Sequence, residues 1–100
     1  MQYYLRRWAE SRGDEFATWG PATYYFETDG HGAVLRQVEV YAAGQVLRYD
    51  TTLIDDRYGR LAEKPLDLIE FEPFASTREA FEEVWPPGTP PGPDSVAQSR

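Results

Sequence analysis

The chain has no cysteine, which excludes a disulfide framework and a thiolate zinc site. It has one histidine, His31, inside "DGHG". A hairpin tip is a poor support for a catalytic imidazole, so His31 reads as a turn residue. No apolar run approaches the roughly 20 residues that a membrane helix needs. The start, "MQYYLRRWAE", lacks the apolar stretch of a signal peptide, so the cytoplasm is the expected compartment. Basic residues are few, ten against seventeen acidic ones, and the formal net charge is −7. Phosphate backbones attract basic faces, so nucleic acid is not an expected partner. There is no P-loop, no Gly-rich dinucleotide turn, no G-x-S-x-G and no H-E-x-x-H. No nucleophile or cofactor site can be nominated, and the chain is expected not to be an enzyme.

What is present is a chain of 100 residues with 15% aromatic content. That is one domain, with enough bulk to build a core. "QYYLRRW" and "ATYYFET" carry large residues at period two and read as strands. "TDGHG" is a turn, with Asp29-Gly30 supplying backbone freedom. "AVLRQVEVYA" and "VLRYD" are the next strands, joined by "AAGQ" with Gly44 at the left-handed position. Val34, Val38 and Val40 share one face with Arg36, and Leu35, Gln37, Glu39 and Tyr41 share the other. Residues 66–74, "LDLIEFEPF", are compatible with an edge strand or a helical turn.

"STREAFEEVW" is the clearest local signal. Ser76 stands three residues before Glu79, the capping-box spacing. Ala80, Phe81, Val84 and Trp85 then fall on one helical face. So short a helix must pack on the sheet to persist. The expected architecture is α+β, an antiparallel meander of about four strands against one C-terminal helix. Residues 1–85 form the domain, and the Pro/Gly-rich residues 86–100 form a disordered tail.

Two constellations carry candidate function. Asp50, Asp55 and Asp56 supply the oxygens a hard cation wants, but adjacent residues of an extended chain point apart and Arg57 and Arg60 can pair with them. A metal-dependent enzyme is therefore the weaker reading. The second is the acidic stretch of Glu63, Asp67, Glu70, Glu72, Glu79, Glu82 and Glu83, against Lys64 and Arg78 alone. It reads as a docking face for a basic partner. Arg36, on a sheet face, is expected over an aromatic ring or in a cross-strand pair. Glu39, Tyr41 and Tyr49 are expected to form or rim the remaining surface.

In order, Arg36, Val38, Glu39 and Val40, then Leu61, Glu63 and Pro65, then Phe81, Glu82 and Trp85 match R-x-V-E-V, L-x-E-x-P and E-F-E-x-x-W segments. Over residues 3 to 85 the chain thereby resembles a family of small, uncharacterised, acidic bacterial proteins. By size and acidity it also resembles immunity proteins kept beside bacterial toxins. The resemblance implies an inhibitor that occludes a toxin's basic active-site cleft, with a phage-like inhibitor or regulatory adaptor as the alternative. The loop before "ATYYFET" is longer than the family pattern, which makes Phe16 and Trp19 candidates to face the partner.

Overall fold

The structure, a computed structural model, describes residues 1–94. The protein is α+β. Five antiparallel strands, β1 (Gln2–Trp8), β2 (Ala22–Thr28), β3 (Val34–Tyr41), β4 (Val46–Asp50) and β5 (Gly92–Asp94), lie in the order of the sequence. Four were expected. The fifth forms inside the segment expected to be a disordered tail. It pairs with β4 through Val46↔Asp94 and Arg48↔Gly92. Pro93 is tolerated because an outer strand needs no second row of donors. Residues 95–100 of the expected tail lie outside the described residues.

The turns use side chains as much as backbone freedom. After β2, the Asp29 carboxylate accepts from the His31 and Ala33 amides. The positive φ of this turn falls on Gly32, at 89°, and not on Gly30. A Cβ at Gly32 would come within 2.6 Å of the Leu66 carbonyl oxygen. The missing side chain lets the crossing segment dock there, with the Leu66 amide donating to the Gly32 carbonyl. His31 is exposed at the tip.

Within residues 66–74 the chain is helical from Leu68 to Phe74. Asp67 caps the short helix α1 (Leu68–Phe71) by accepting from the Ile69 and Glu70 amides. A 3-10 turn over Glu72–Phe74 follows, where Pro73 lacks only an amide that the first turn cannot use. Helix α2 (Arg78–Val84) begins one residue later than its sequence pattern predicts. Its cap is Thr77, whose hydroxyl accepts from the Ala80 amide. Ser76 is otherwise engaged, since its amide donates to the Tyr3 carbonyl and ties the chain to the edge of β1.

Successive side chains of a strand point to opposite faces, and here both faces are buried. On the first face Tyr4, Phe26, Tyr41, Leu47 and Tyr49 pack beneath Leu61 and Phe71, with Trp19, Tyr58 and Phe74 at the margin. On the second, Val38 lies under Phe81 and Trp85 of the α2 region, flanked by Val40 and Val46. The chain passes from one face to the other around β1, where Ala75 bridges to Tyr4. Glu39, Tyr41 and Tyr49 therefore do not rim a surface. They are 4%, 3% and 0% exposed, because the segment from Leu53 to Phe74 roofs them.

Arg36 shares the second face with Val38 and Val40, whereas Val34, expected beside them, packs into the first-face core because the β2–β3 register shifts between Glu27 and Thr28. Its guanidinium lies over Phe81 and Trp85, 4.7 and 5.3 Å from the ring centres. It grips Glu27 through Nε and Nη2, at 2.8 and 2.9 Å, and reaches Glu82 at 2.9 Å. Arg48 donates from Nε to the Val84 carbonyl at the end of α2. The helix is thus seated by apolar burial and fixed by two arginines rising from the sheet.

Candidate functional site

Two regions offer chemistry. One is the acidic flank built from the crossing segment and the two helices. The other is a cavity on the first face of the sheet, which the sequence did not single out.

Along the flank the seven acidic residues divide. Asp67 is committed to capping α1. Glu70 pairs with Arg6 at 2.8 Å. Glu82 pairs with Arg36, and Glu63 lies 3.5 Å from Arg60. Glu72, Glu79 and Glu83 are exposed and have no ion pair among the described residues. The stretch is continuous in sequence but divided in space, because α1 covers the first face and α2 the second. Ile69, on α1 between Asp67 and Glu70, is 88% exposed. Sequence reasoning missed it, since an isoleucine in a helix ordinarily signals a core contact.

Trp19 belongs to a cluster on the loop between β1 and β2. It lies in a half-buried aromatic group, 4.6 Å from Phe16, 5.1 Å from Tyr41 and 5.8 Å from Tyr58. Arg12 lies across the same group, 5.0 Å from the Phe16 ring and 5.6 Å from Trp19. The long loop between β1 and β2 is thereby fastened onto the sheet.

The aspartates of the metal reading serve their own turns. Asp50 accepts from the Thr52 amide and hydroxyl and from the Leu53 amide. Asp56 accepts from the Tyr49 hydroxyl and from the Tyr58 and Gly59 amides. Asp55 is exposed beside its bridge to Arg60. Among the described residues no three histidine, aspartate or glutamate side chains are grouped as a metal would require.

The cavity measures about 340 Å³ and is lined by Trp8, Glu10, Ser11, Arg12, Ala22, Tyr24, Phe26, Gln37, Tyr41 and Ala62. Sheet register explains it. Trp8, Ala22 and Tyr41 form one row across β1, β2 and β3. The smallest side chain stands between two large ones and leaves a hollow. Tyr24, in the next row, closes one end with its ring 4.8 Å from Trp8, edge to face.

Behind the wall lies a polar network. Tyr41 donates its hydroxyl to Glu39 at 2.5 Å, and Gln37 donates to the other carboxylate oxygen at 2.8 Å. Gln37 also bonds the Arg60 carbonyl and the Ala62 amide, which pins the crossing segment to the sheet. Arg12 reaches the Tyr41 oxygen at 3.4 Å. Burial pushes the Glu39 carboxyl above its ordinary range, against the pull of its hydroxyl and amide donors. Burial beside that carboxylate also raises the Tyr24 and Tyr41 hydroxyls. Both phenols therefore stay protonated donors and not nucleophiles at neutral pH. The signal in the sequence was that β2, "ATYYFET", is bulky on both parities, which requires cover on both faces.

Comparison with family models, with curated proteins and with solved structures finds no match. No helix among the described residues is long and apolar enough to cross a membrane.

Proposed function

We propose that the protein is a cytoplasmic, non-enzymatic inhibitor, of the immunity-protein kind, that sets its acidic helical flank against a basic cleft on another protein. The observation that carries this reading is Ile69. A helix this short is held only by its buried contacts, yet it projects an isoleucine into solvent at 88% exposure. Ile69 has Glu70 and Glu72 as its near neighbours along α1 and the turn after it, and an apolar anchor beside charge is the anatomy of a protein-binding patch. Glu72 on that side, and Glu79 and Glu83 on the other face of the sheet, supply charge not neutralised by an ion pair among the described residues. Such charge speeds encounter with a basic partner and selects against acidic ones.

The test pairs the full chain with the product of the adjacent gene. Binding is measured by calorimetry, and rescue of growth is measured when the two are co-expressed. The wild-type chain should bind and rescue. Ile69→Asp should raise the dissociation rate. The combined Glu72→Lys, Glu79→Lys, Glu83→Lys variant should slow association and reverse its salt dependence. If that neighbour is neither bound nor neutralised, or if both variants bind like the wild type, the reading fails.

A further inference from the structure

Glu39 is buried in the middle of the central strand, and neither the acidic flank nor any turn uses it. We infer that it is a proton-operated latch for the roof, the segment from Leu53 to Phe74. The roof lies closed on the sheet while the Glu39 carboxyl is protonated, and opens locally far more readily once that carboxyl is charged. Gln37, also buried, is the link. Its amide nitrogen donates to Glu39 at 2.8 Å and to the Arg60 carbonyl at 3.1 Å. Its carbonyl oxygen accepts from the Ala62 amide at 2.9 Å. The roof and the carboxyl thus share one side chain. Further ties join Tyr49 to Asp56, Gly32 to Leu66 and Arg6 to Glu70. The regular structure of the roof is one short helix and the 3-10 turn after it. The sheet beneath is knitted by paired strands and seated against Phe81 and Trp85 on its other face. A segment with so few backbone bonds opens at lower free energy than the strands it covers.

The groups that face Glu39 leave a charge there poorly solvated. β3 and β2 bring the Tyr41 and Tyr24 hydroxyls, which are neutral. Tyr49 of β4 gives its hydroxyl to Asp56 of the roof. Arg12, from the loop between β1 and β2, pulls on the carboxylate, but its guanidinium is bonded to Asp14 and Tyr41. Glu10 lines the neighbouring hollow and has the same sign as Glu39. Arg6 of β1 is turned to Glu70, and Arg60 of the roof to Glu63. Water is the group that would relieve the charge, and the roof excludes it. Burial raises the Glu39 carboxyl while the roof is closed, and uncovering returns it to its ordinary 4.5. Opening therefore releases a proton between those two values. Across that interval the opening equilibrium grows about tenfold for each pH unit, and above it the growth stops. The device lies inside the fold and stands whether or not the acidic flank docks a partner.

The experiment follows amide hydrogen exchange of the full chain by NMR from pH 4.5 to 8, corrected for the intrinsic pH dependence of exchange. The Ala62 and Leu66 amides, bonded to Gln37 and Gly32, report on the roof. Their protection should fall about tenfold per pH unit and then level, while the slowest amides of β2 and β3 stay better protected throughout. The side-chain carboxyl carbon of Glu39 should titrate at the pH where the fall levels. Glu39→Gln should abolish the slope. Melting curves establish that this variant is folded, and the carboxyl titration of the wild type decides alone if it is not. Roof protection that does not change with pH overturns the inference. So does a slope that survives in Glu39→Gln, a carboxyl that titrates at its ordinary value, or roof and strand amides that exchange together. Every reading is taken on the chain alone, so failure here and failure of the docking reading are separate results.

Discussion

Glu27 and Glu39 are on adjacent strands, one on each face of the sheet, and both are buried. On the second face Arg36 holds Glu27 with two N–H groups, and Tyr3 adds a hydroxyl at 2.8 Å. That arginine keeps the Glu27 carboxyl below its ordinary range, against the opposing effect of burial. On the first face Glu39 has neutral donors at bonding distance, the Tyr41 hydroxyl and the Gln37 amide, and burial wins. Burial alone does not decide the state of a carboxylate. The charge of the groups that meet it does.

The largest expected effect breaks the clamp. Arg36→Met keeps much of the volume but leaves Glu27 buried without its cation, which should cost about 3 kcal/mol in urea unfolding. Adding Glu27→Gln should recover part of that loss, since the unpaired charge is then gone. A cost for Arg36→Met below the size of an exposed ion pair would remove the contrast between the faces.

The pH dependence sharpens it. A carboxyl lowered by folding contributes stability above its ordinary value, and the contribution is lost as pH falls through the lowered one. Glu27 therefore acts below 4.5. A carboxyl raised by folding contributes below its ordinary value, and the contribution is lost as pH rises through the raised one. Glu39 therefore acts above 4.5. Unfolding free energies measured across the acid range should show Glu27→Gln flattening the rise with pH below that point. Glu39→Gln should flatten the fall above it.

The smallest effect concerns how α2 is started on the second face. Thr77→Ala should cost about 1 kcal/mol, the value of a lost cap. Ser76→Ala should change thermal stability little, because Ser76 acts through its backbone.

Much of this was legible before the structure. The meander follows from alternation and from the glycine and aspartate turns. The seat of Phe81 and Trp85 on Val38 follows from helical spacing, and the placing of Arg36 over rings follows from its parity with Val38 and Val40, while the register shift that sends Val34 to the other face was not legible. What escaped was non-local. Glu39 looked like a surface residue because its cover, Leu61 to Phe74, is distant in sequence and its residues 66–74 were ambiguous between strand and helix. The cap shifted by one because Ser76 was recruited by β1. The cavity required Trp8, Ala22 and Tyr41 to be aligned in one row, and only strand register provides that. Of the residues proposed for docking, the exposed carboxylates were visible in the sequence and the protruding Ile69 was not.

The last described strand has a consequence for how this molecule can meet others. With a three-residue strand, Gly92–Asp94, at one margin of the sheet and Ala75 and Ser76 laid along Tyr3 and Tyr4 at the other, the first edge is short and the second is partly occupied by the chain itself. Arg6 and Arg7 guard the open half of β1, where unpaired main chain would otherwise invite a foreign strand. Recognition by extending the ladder into a visitor's backbone is disfavoured at either border. Selectivity must come from the shape and charge of side chains, which a few substitutions can retune without disturbing the scaffold beneath.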